Sequence, residues 1–140
     1  MDNPNLPKVV DIPPRWQKHG GSGGMLIPSP HQVEALIRAV RKGRLITVTR
    51  MREVLATQHM TATACPLTTG IFVRIAAEAA EEDAQAGKTR ITPYWRVVKE
   101  DGSLNPKFPG GAARQARRLI AEGHRIVPAQ GKRPPRVAGF

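Results

Sequence analysis

The sequence of 140 residues predicts a single, mainly α-helical domain with a short β wing, arranged as a winged helix-turn-helix. Apolar residues recur at helical spacing in four segments. A turn of about eight residues separates the second segment from the third, which is typical of an extended helix-turn-helix. After the third segment, an extended stretch leads into Asp101-Gly102, a pair that favours a tight turn and therefore predicts the wing.

The first helix is predicted to begin after Ser29, because residues 29–32 (Ser-Pro-His-Gln) combine a capping serine, a first-turn proline and the glutamine of a capping box. Gly43 is predicted to end this helix. Leu45 to Val48 is predicted to be a short β segment, and Thr49 is predicted to cap the second helix. The apolar residues expected to face inward in these two helices are Val33, Leu36, Ile37, Val40, Met51, Val54 and Leu55.

The third helix is predicted to run from Thr68 or Thr69 to about Ala84. The stretch from Ile91 to Val98 is predicted to be extended and to lead into the wing. The last helix is predicted to run from Ala112 to Glu122. The residues expected to face inward in these two helices are Ile71, Phe72, Ile75, Ala79, Ala116, Leu119 and Ile120.

Proline and glycine, thirteen of each, concentrate toward the two ends of the chain. Residues 1–26 are therefore predicted to be a flexible arm and linker with little to bury apart from Trp16. Residues 27–124 are predicted to form the folded domain, and residues 125–140 a basic tail.

The chain carries 22 Lys and Arg against 11 Asp and Glu, a formal net charge of +11. A surplus this large in a small domain predicts a polyanionic partner, of which DNA and RNA are the commonest, although a solvated basic surface without a partner is the alternative. The sequence has no run of about eighteen apolar residues and no secretory h-region. It therefore predicts a cytoplasmic protein with no membrane partner.

The single cysteine, Cys65, excludes an intramolecular disulfide and any multi-cysteine metal site. The four histidines lie far apart in the sequence and show no metal-binding spacing. We therefore expect neither a metal nor a cofactor. A reactive Cys65, favoured by its place just before a helix, is the alternative to a buried free thiol, which is the commoner case.

Two adjacent aromatic residues followed by an arginine, Tyr94-Trp95-Arg96, stand out in a chain that has three Phe, two Trp and one Tyr. Such a cluster can line a pocket for a planar group through stacking and cation–π contacts. In the competing interpretation, one aromatic side chain belongs to the core and Arg96 pairs with an acidic residue. The residues alone leave both interpretations open.

Residues 93–98 (Pro-Tyr-Trp-Arg-Val-Val) resemble the Pro-Cys-His-Arg-Val-Val active-site motif of the alkylguanine-DNA alkyltransferases. Residues 101–104 resemble the turn that follows this motif in the family, and residues 110–124 match its Gly-Gly pair, final helix and Glu-Gly ending. The resemblance covers residues 27–124 and implies the winged helix-turn-helix of the alkyltransferase C-terminal domain.

The enzymes of this family transfer an alkyl group from guanine to their cysteine, which a neighbouring histidine, oriented by a glutamate, activates. This chain has Tyr94 in place of the cysteine and Trp95 in place of the histidine, and it keeps the glutamate as Glu122. A phenol with an ordinary pKa of about 10 and no base beside it is a poor acceptor at neutral pH. We therefore expect no enzymatic activity.

A retained frame without the acceptor is similar to the alkyltransferase-like branch of the family. The resemblance implies a non-enzymatic, nucleoid-associated monomer that binds double-stranded DNA, flips alkylated guanine out of the stack and marks it for a repair complex. The side chains that would form the base pocket are Tyr94, Trp95, Val97 (through its backbone), Phe108, Pro109 and Glu122.

The resemblance also implies a DNA-contacting set. Arg74 resembles the arginine that fills the space left by the flipped base, and Thr68 and Thr69 lie in the N-terminal half of the same helix, the half that recognition helices present to the groove. Glu78, Glu81, Glu82 and Asp83 fill the other end of that helix and predict an acidic, solvated face. The remaining expected DNA contacts are Arg50, Arg52 and Arg96.

Three departures from the family bear on base flipping. Val48 stands where the family has a base-pushing tyrosine, Pro109 replaces a serine, and the hinge asparagine before the active-site motif has no counterpart. Two other functions therefore stay open: a general winged-helix nucleic-acid binder whose pocket is filled by Tyr94 and Trp95, and an enzyme that uses Cys65.

Overall fold

Four α-helices and three small β-sheets make up the part of the chain that the computed structural model describes, residues 5–16 and 23–140. The fold is therefore mixed α and β rather than mainly α-helical. The helices are α1 (Pro30–Arg38), α2 (Val48–Gln58), α3 (Pro66–Gln85) and α4 (Gly111–Ala121). The strands are β1 (Lys8–Val10), β2 (Met25–Ile27), β3 (Ile46–Thr47), β4 (Thr63–Ala64), β5 (Val97–Val98), β6 (Ile126–Val127) and β7 (Arg136–Val137).

The start of α1 confirms the predicted capping box. The Gln32 amide donates to the Ser29 hydroxyl (3.2 Å), and the Ser29 amide donates to the Gln32 side chain (3.0 Å). The helix ends at Arg38, before Gly43. The cap of α2 is Thr47 instead of the predicted Thr49, because the Thr47 hydroxyl accepts a hydrogen bond from the Arg50 amide (3.1 Å).

Helix α3 differs from the prediction in its start and in its buried face. It begins at Pro66, with Cys65 at the N-cap. The predicted inward residue Ile71 is 39% exposed, whereas a stripe of mainly small residues is buried instead. Small side chains allow the helix to pack closely against its neighbours, and this requirement displaces the larger apolar residues toward the edge. The buried residues of α3 are Thr69, Val73, Ala76, Ala77, Ala80 and Glu81.

Helix α4 shows the same kind of difference. The predicted inward residue Ile120 is 55% exposed, while Leu119 and the polar Gln115 are completely buried. The core that joins the four helices therefore includes one amide side chain, which must find hydrogen-bond partners inside the protein.

The described parts of the N-terminal segment are folded onto the domain, which corrects the prediction of a flexible arm for those parts. Strand β1 pairs antiparallel with β2, and β2 runs parallel to β4. Ile12 and Met25 pack with Cys65 in a small second core. Strand pairing and apolar burial together offset the entropy lost on ordering this segment. Residues 17–22, which include part of the predicted glycine linker, lie outside the described residues.

The predicted basic tail is also folded. Strands β6 and β7 form an antiparallel hairpin, and Val137 is buried in the main core. The predicted turn at Asp101-Gly102 exists: the Lys99 amide donates to the Ser103 carbonyl (3.0 Å). The wing is predicted to be a hairpin or a loop. Among the described strands β5 pairs with β3 alone, in parallel, so the segment after it is a turn and loop rather than a two-stranded hairpin. None of the helices in the described ranges is long and apolar enough to cross a membrane.

Candidate functional site

The segment with the clustered aromatic residues lies at the centre of the molecule. Tyr94–Arg96 forms a single 3-10 turn that leads directly into β5. The buried amide of Gln115 on α4 donates to the carbonyls of Trp95 (3.2 Å) and Val97 (2.9 Å). Its oxygen accepts a hydrogen bond from the Asn105 amide (2.8 Å). One side chain of α4 therefore fixes the backbone of this segment and of the loop that follows the turn at Gly102.

The Tyr94 side chain is completely buried among other groups of the protein. Its ring contacts Trp95 and Phe108 edge to face, with centroid distances of 5.4 Å and 5.3 Å. Its hydroxyl donates a hydrogen bond to the carboxylate of Glu81. Position 94, which the resemblance aligns with a reactive cysteine, is therefore filled by a packed and hydrogen-bonded ring.

Glu81 connects the phenol to the basic residues of α4. Both of its oxygens accept hydrogen bonds from Arg118, at 2.9 Å and 2.7 Å, and Arg114 approaches to 3.9 Å. Burial alone would raise the pKa of Glu81, but hydrogen bonds from Arg118 and Tyr94 and the two arginine charges outweigh it and hold the pKa below its ordinary value. Burial, and then the hydrogen bond to Glu81, raise the pKa of Tyr94 far above 10.

The charge pattern of the sequence places Glu81 on the solvated acidic end of α3, but the structure buries it. The residue is 6% exposed. The available signal was its spacing, because Val73, Ala77 and Glu81 lie four residues apart on one helical face. A carboxylate on a buried stripe requires a partner.

A second ion pair holds the other side of the segment. The Arg96 guanidinium donates two hydrogen bonds to Glu122 (3.0 Å and 2.6 Å) and one to the Val40 carbonyl (2.6 Å). Burial alone would raise the pKa of Glu122, but Arg96 more than offsets it and the pKa lies below its ordinary value. This geometry matches the interpretation in which one aromatic side chain is core and Arg96 pairs with an acidic residue. Three of the five N–H donors of the Arg96 guanidinium are therefore bound within the protein.

A basic cleft of about 560 Å³ opens beside Trp95. Trp95 is 8% exposed, and the Arg118 and Arg96 guanidinium carbons lie 4.7 Å and 5.8 Å from its ring centroid. Each of four cleft cations contacts an acidic residue, whereas Arg90 forms no ion pair within the described chain. The basic residues lining the cleft are Arg38, Lys88, Arg90, Arg96 and Arg118.

The structure separates the residues predicted to form one base pocket. Trp95 lines the cleft, but Tyr94, Val97 and Phe108 do not. The Val97 carbonyl already accepts a bond from Gln115, and Phe108 is buried against Tyr94. Pro109 is half-buried in the loop before α4. Glu122 is bound to Arg96, so it does not stand free to orient a catalytic base.

The predicted DNA contacts divide into structural and exposed side chains. The Thr69 hydroxyl is buried and donates to the Cys65 carbonyl (2.7 Å). The Arg52 guanidinium donates to the Ala64 carbonyl (2.8 Å) and to the Thr63 hydroxyl (3.1 Å), where it fastens β4 to α2. The hydrogen bonds of these two residues, like those of Arg96, are therefore to other groups of the protein.

Arg50 and Arg74 lie on the surface, as a phosphate contact requires. Their partners are exposed glutamates within one helical turn, Glu53 at 3.4 Å and Glu78 at 3.9 Å, and exposed pairs of this kind are weak. Thr68 is half-buried at the start of α3, and its amide donates to the Cys65 sulfur (3.5 Å). Cys65 itself is 5% exposed and caps the helix from within the small core.

Stability is expected to fall as the solution becomes acidic. Glu81 and Glu122 both have a folded-state pKa below the ordinary value of 4.5. A depressed carboxyl pKa stabilises the fold above the pKa of the unfolded chain, and that contribution is lost as the pH falls from about 4.5 through the lower folded-state values. Urea unfolding at a series of pH values between about 7 and 3 measures this loss. Glu81→Gln and Glu122→Gln should each make the dependence shallower; three identical profiles would contradict the assignment.

Comparison of the chain with models of known protein families, with curated proteins and with solved structures found no match.

Proposed function

We propose that this chain binds double-stranded DNA without catalysing alkyl transfer. The observation that carries the proposal is the distribution of charge: six of the acidic residues are held in ion pairs, while a larger set of cations has no acidic partner within the described chain. The cations of this set, which are exposed apart from the half-buried Arg136, are Lys8, Arg41, Lys42, Arg44, Arg90, Lys99, Lys107, Arg117, Arg125, Lys132, Arg133 and Arg136.

Unpaired surface cations favour a polyanion because they release the counterions that DNA phosphates condense. Within this proposal, α2 and α3 act as a helix-turn-helix and the N-terminal half of α3 faces a groove. Arg74 on α3 and Arg50 on α2 are exposed and available for phosphate. Their weak pairs with glutamates can open at little cost.

The absence of transfer chemistry rests on the surroundings of Tyr94. Its hydroxyl donates a hydrogen bond to Glu81. Burial and this bond raise the pKa of Tyr94, so the phenolate needed for attack is disfavoured at neutral pH. Trp95 supplies no base, and the Glu122 carboxylate is bound by Arg96.

Recognition of alkylated guanine is the second candidate function, and the cleft beside Trp95 is the observation that favours it. The cleft has an aromatic wall flanked by two guanidinium groups, Arg96 and Arg118. A flipped base would lie in this cleft rather than against Tyr94, because the ring of Tyr94 is buried. In this candidate the chain marks the lesion for a repair complex.

Titration of two duplexes that differ by a single O6-alkylguanine separates the two candidates. At matched salt, general binding predicts dissociation constants within about twofold of each other and an affinity that falls steeply as salt is raised. A preference of tenfold or more for the alkylated duplex would instead establish lesion recognition. Absence of binding to either duplex at low salt would overturn both.

Incubation with alkyl-labelled DNA tests the absence of transfer in the same preparation. We expect no covalent label on the protein. Label that disappears in Cys65→Ser would assign an enzymatic role to the buried thiol and contradict the proposal.

A further inference from the structure

We propose that the β6–β7 hairpin is a rigid basic wing whose tip enters the minor groove of double-stranded DNA. This inference rests on the proposed DNA-binding function and assigns one of its contact surfaces. Residues 123–140 contain four Lys and Arg and no Asp or Glu. Lys132 and Arg133 lie at the tip, are exposed and form no ion pair within the described chain.

The hairpin is fastened to the body of the molecule along its base. The Leu104 amide donates to the Pro135 carbonyl, and the Val137 amide donates to the Gly102 carbonyl, each at 2.9 Å. The Ala138 amide closes the hairpin on the Arg125 carbonyl, also at 2.9 Å. Because Val137 is also buried in the main core, the tip is held in place before binding, and little conformational entropy is lost when it meets a partner.

The tip is narrow. The amides and carbonyls of Gln130 and Arg133 bond to each other (3.1 Å and 2.9 Å) across the two residues between them. Gly131, with φ of +59°, takes the left-handed conformation that this tight turn uses. Two neighbouring cationic side chains therefore project from a thin turn, a shape suited to a groove about 6 Å wide whose negative potential attracts Lys and Arg.

The two prolines after the tip argue against a protein strand as the partner. Pro134 and Pro135 have no amide donors, so this edge of the hairpin cannot extend a sheet by regular strand pairing. Asp101 is a nearby acidic residue whose pKa is lowered by hydrogen bonding with Ser103 and by the charge of Arg133, but it forms no ion pair with the tip within the described residues. A polyanion with a narrow groove fits these features better than a peptide.

The test compares Lys132→Ala/Arg133→Ala with Arg41→Ala/Lys42→Ala, which removes the same charge from an exposed, unpaired site after α1. On an A·T-rich duplex, loss of two contacts at the tip should weaken binding about tenfold or more and reduce the salt slope by about 1.8. A distamycin-type ligand that fills the minor groove should weaken binding of the wild type and of the Arg41/Lys42 variant but have little effect on the tip variant. Lys132→Arg/Arg133→Lys should retain the wild-type affinity. Unchanged unfolding midpoints verify that each variant is folded.

Three results would overturn the inference. The first is an equal loss of DNA affinity in the two alanine variants. The second is a tip variant whose dissociation constant is within about twofold of wild type, and the third is wild-type binding that the minor-groove ligand leaves unchanged. In each of them the wild type still binds DNA, so the proposed DNA-binding function stands and only the assignment of the hairpin as a contact surface is wrong. A wild-type protein that binds no duplex would contradict both the proposed function and the role of the hairpin.

Discussion

Replacement of Glu81 with alanine is expected to destabilise the fold by about 3 kcal/mol, because Glu81 is a buried carboxylate with an arginine partner. The substitution leaves the Tyr94 hydroxyl buried without its acceptor and the Arg118 guanidinium without its two-oxygen partner. Unpaired buried polar groups cost more than the hydrogen bonds themselves contribute. Urea unfolding at neutral pH measures the difference in the free energy of unfolding.

Two further variants isolate the cause. Glu82→Ala, at the exposed neighbouring position on α3, should change the free energy of unfolding by no more than about 0.5 kcal/mol. Tyr94→Phe removes only the hydroxyl and leaves the Glu81–Arg118 pair, so it should cost about 1 kcal/mol. If Glu81→Ala lowered the free energy of unfolding no more than Glu82→Ala does, the hydrogen bonds that join Tyr94, Glu81 and Arg118 would not contribute to stability as described.

Replacement of Gln115 with leucine is expected to cost about 2–4 kcal/mol, although leucine has a similar size and the site is completely buried. The change removes the partner of three backbone groups, the Asn105 amide and the Trp95 and Val97 carbonyls. Hydrogen exchange should also rise selectively in residues 94–98 and 105, because the amide side chain holds those segments together.

Arg117→Ala serves as the matched control on α4, since Arg117 is exposed and unpaired within the described chain. It should leave both the unfolding free energy and the exchange pattern close to those of the wild type. A Gln115→Leu variant as stable as wild type would mean that ordinary packing, not the three hydrogen bonds, positions the aromatic segment.

Local signals were the part of the fold that could be predicted. The capping box at Ser29 and the turn at Asp101-Gly102 are decided by residues close together in the sequence. The aromatic cluster around Tyr94 is the most distinctive segment of the sequence, and it lies in the main core.

Long-range pairings were the part that could not be predicted. The pairing of β3 with β5 joins strands of two residues each, which are too short to show a periodic pattern. The β6–β7 segment is rich in proline and glycine, a composition that is typical of a loop. Only the structure shows that Val137 is buried in the main core. The sequence predicts a solvent-exposed Glu81, because the charge pattern of one helix does not reveal a partner such as Arg118 on another helix.

The arrangement around Tyr94 also decides what a thiol at the same position could do. A cysteine introduced at this position would lie in a buried space left by the larger ring and beside the Glu81 carboxylate. Burial and a negative neighbour both disfavour the thiolate, so Tyr94→Cys alone would not create a reactive thiol. Tyr94, Glu81 and Arg118 therefore form a unit in which each side chain depends on another for its hydrogen bonds, so a reactive thiol at position 94 would also need changes at Glu81 and Arg118.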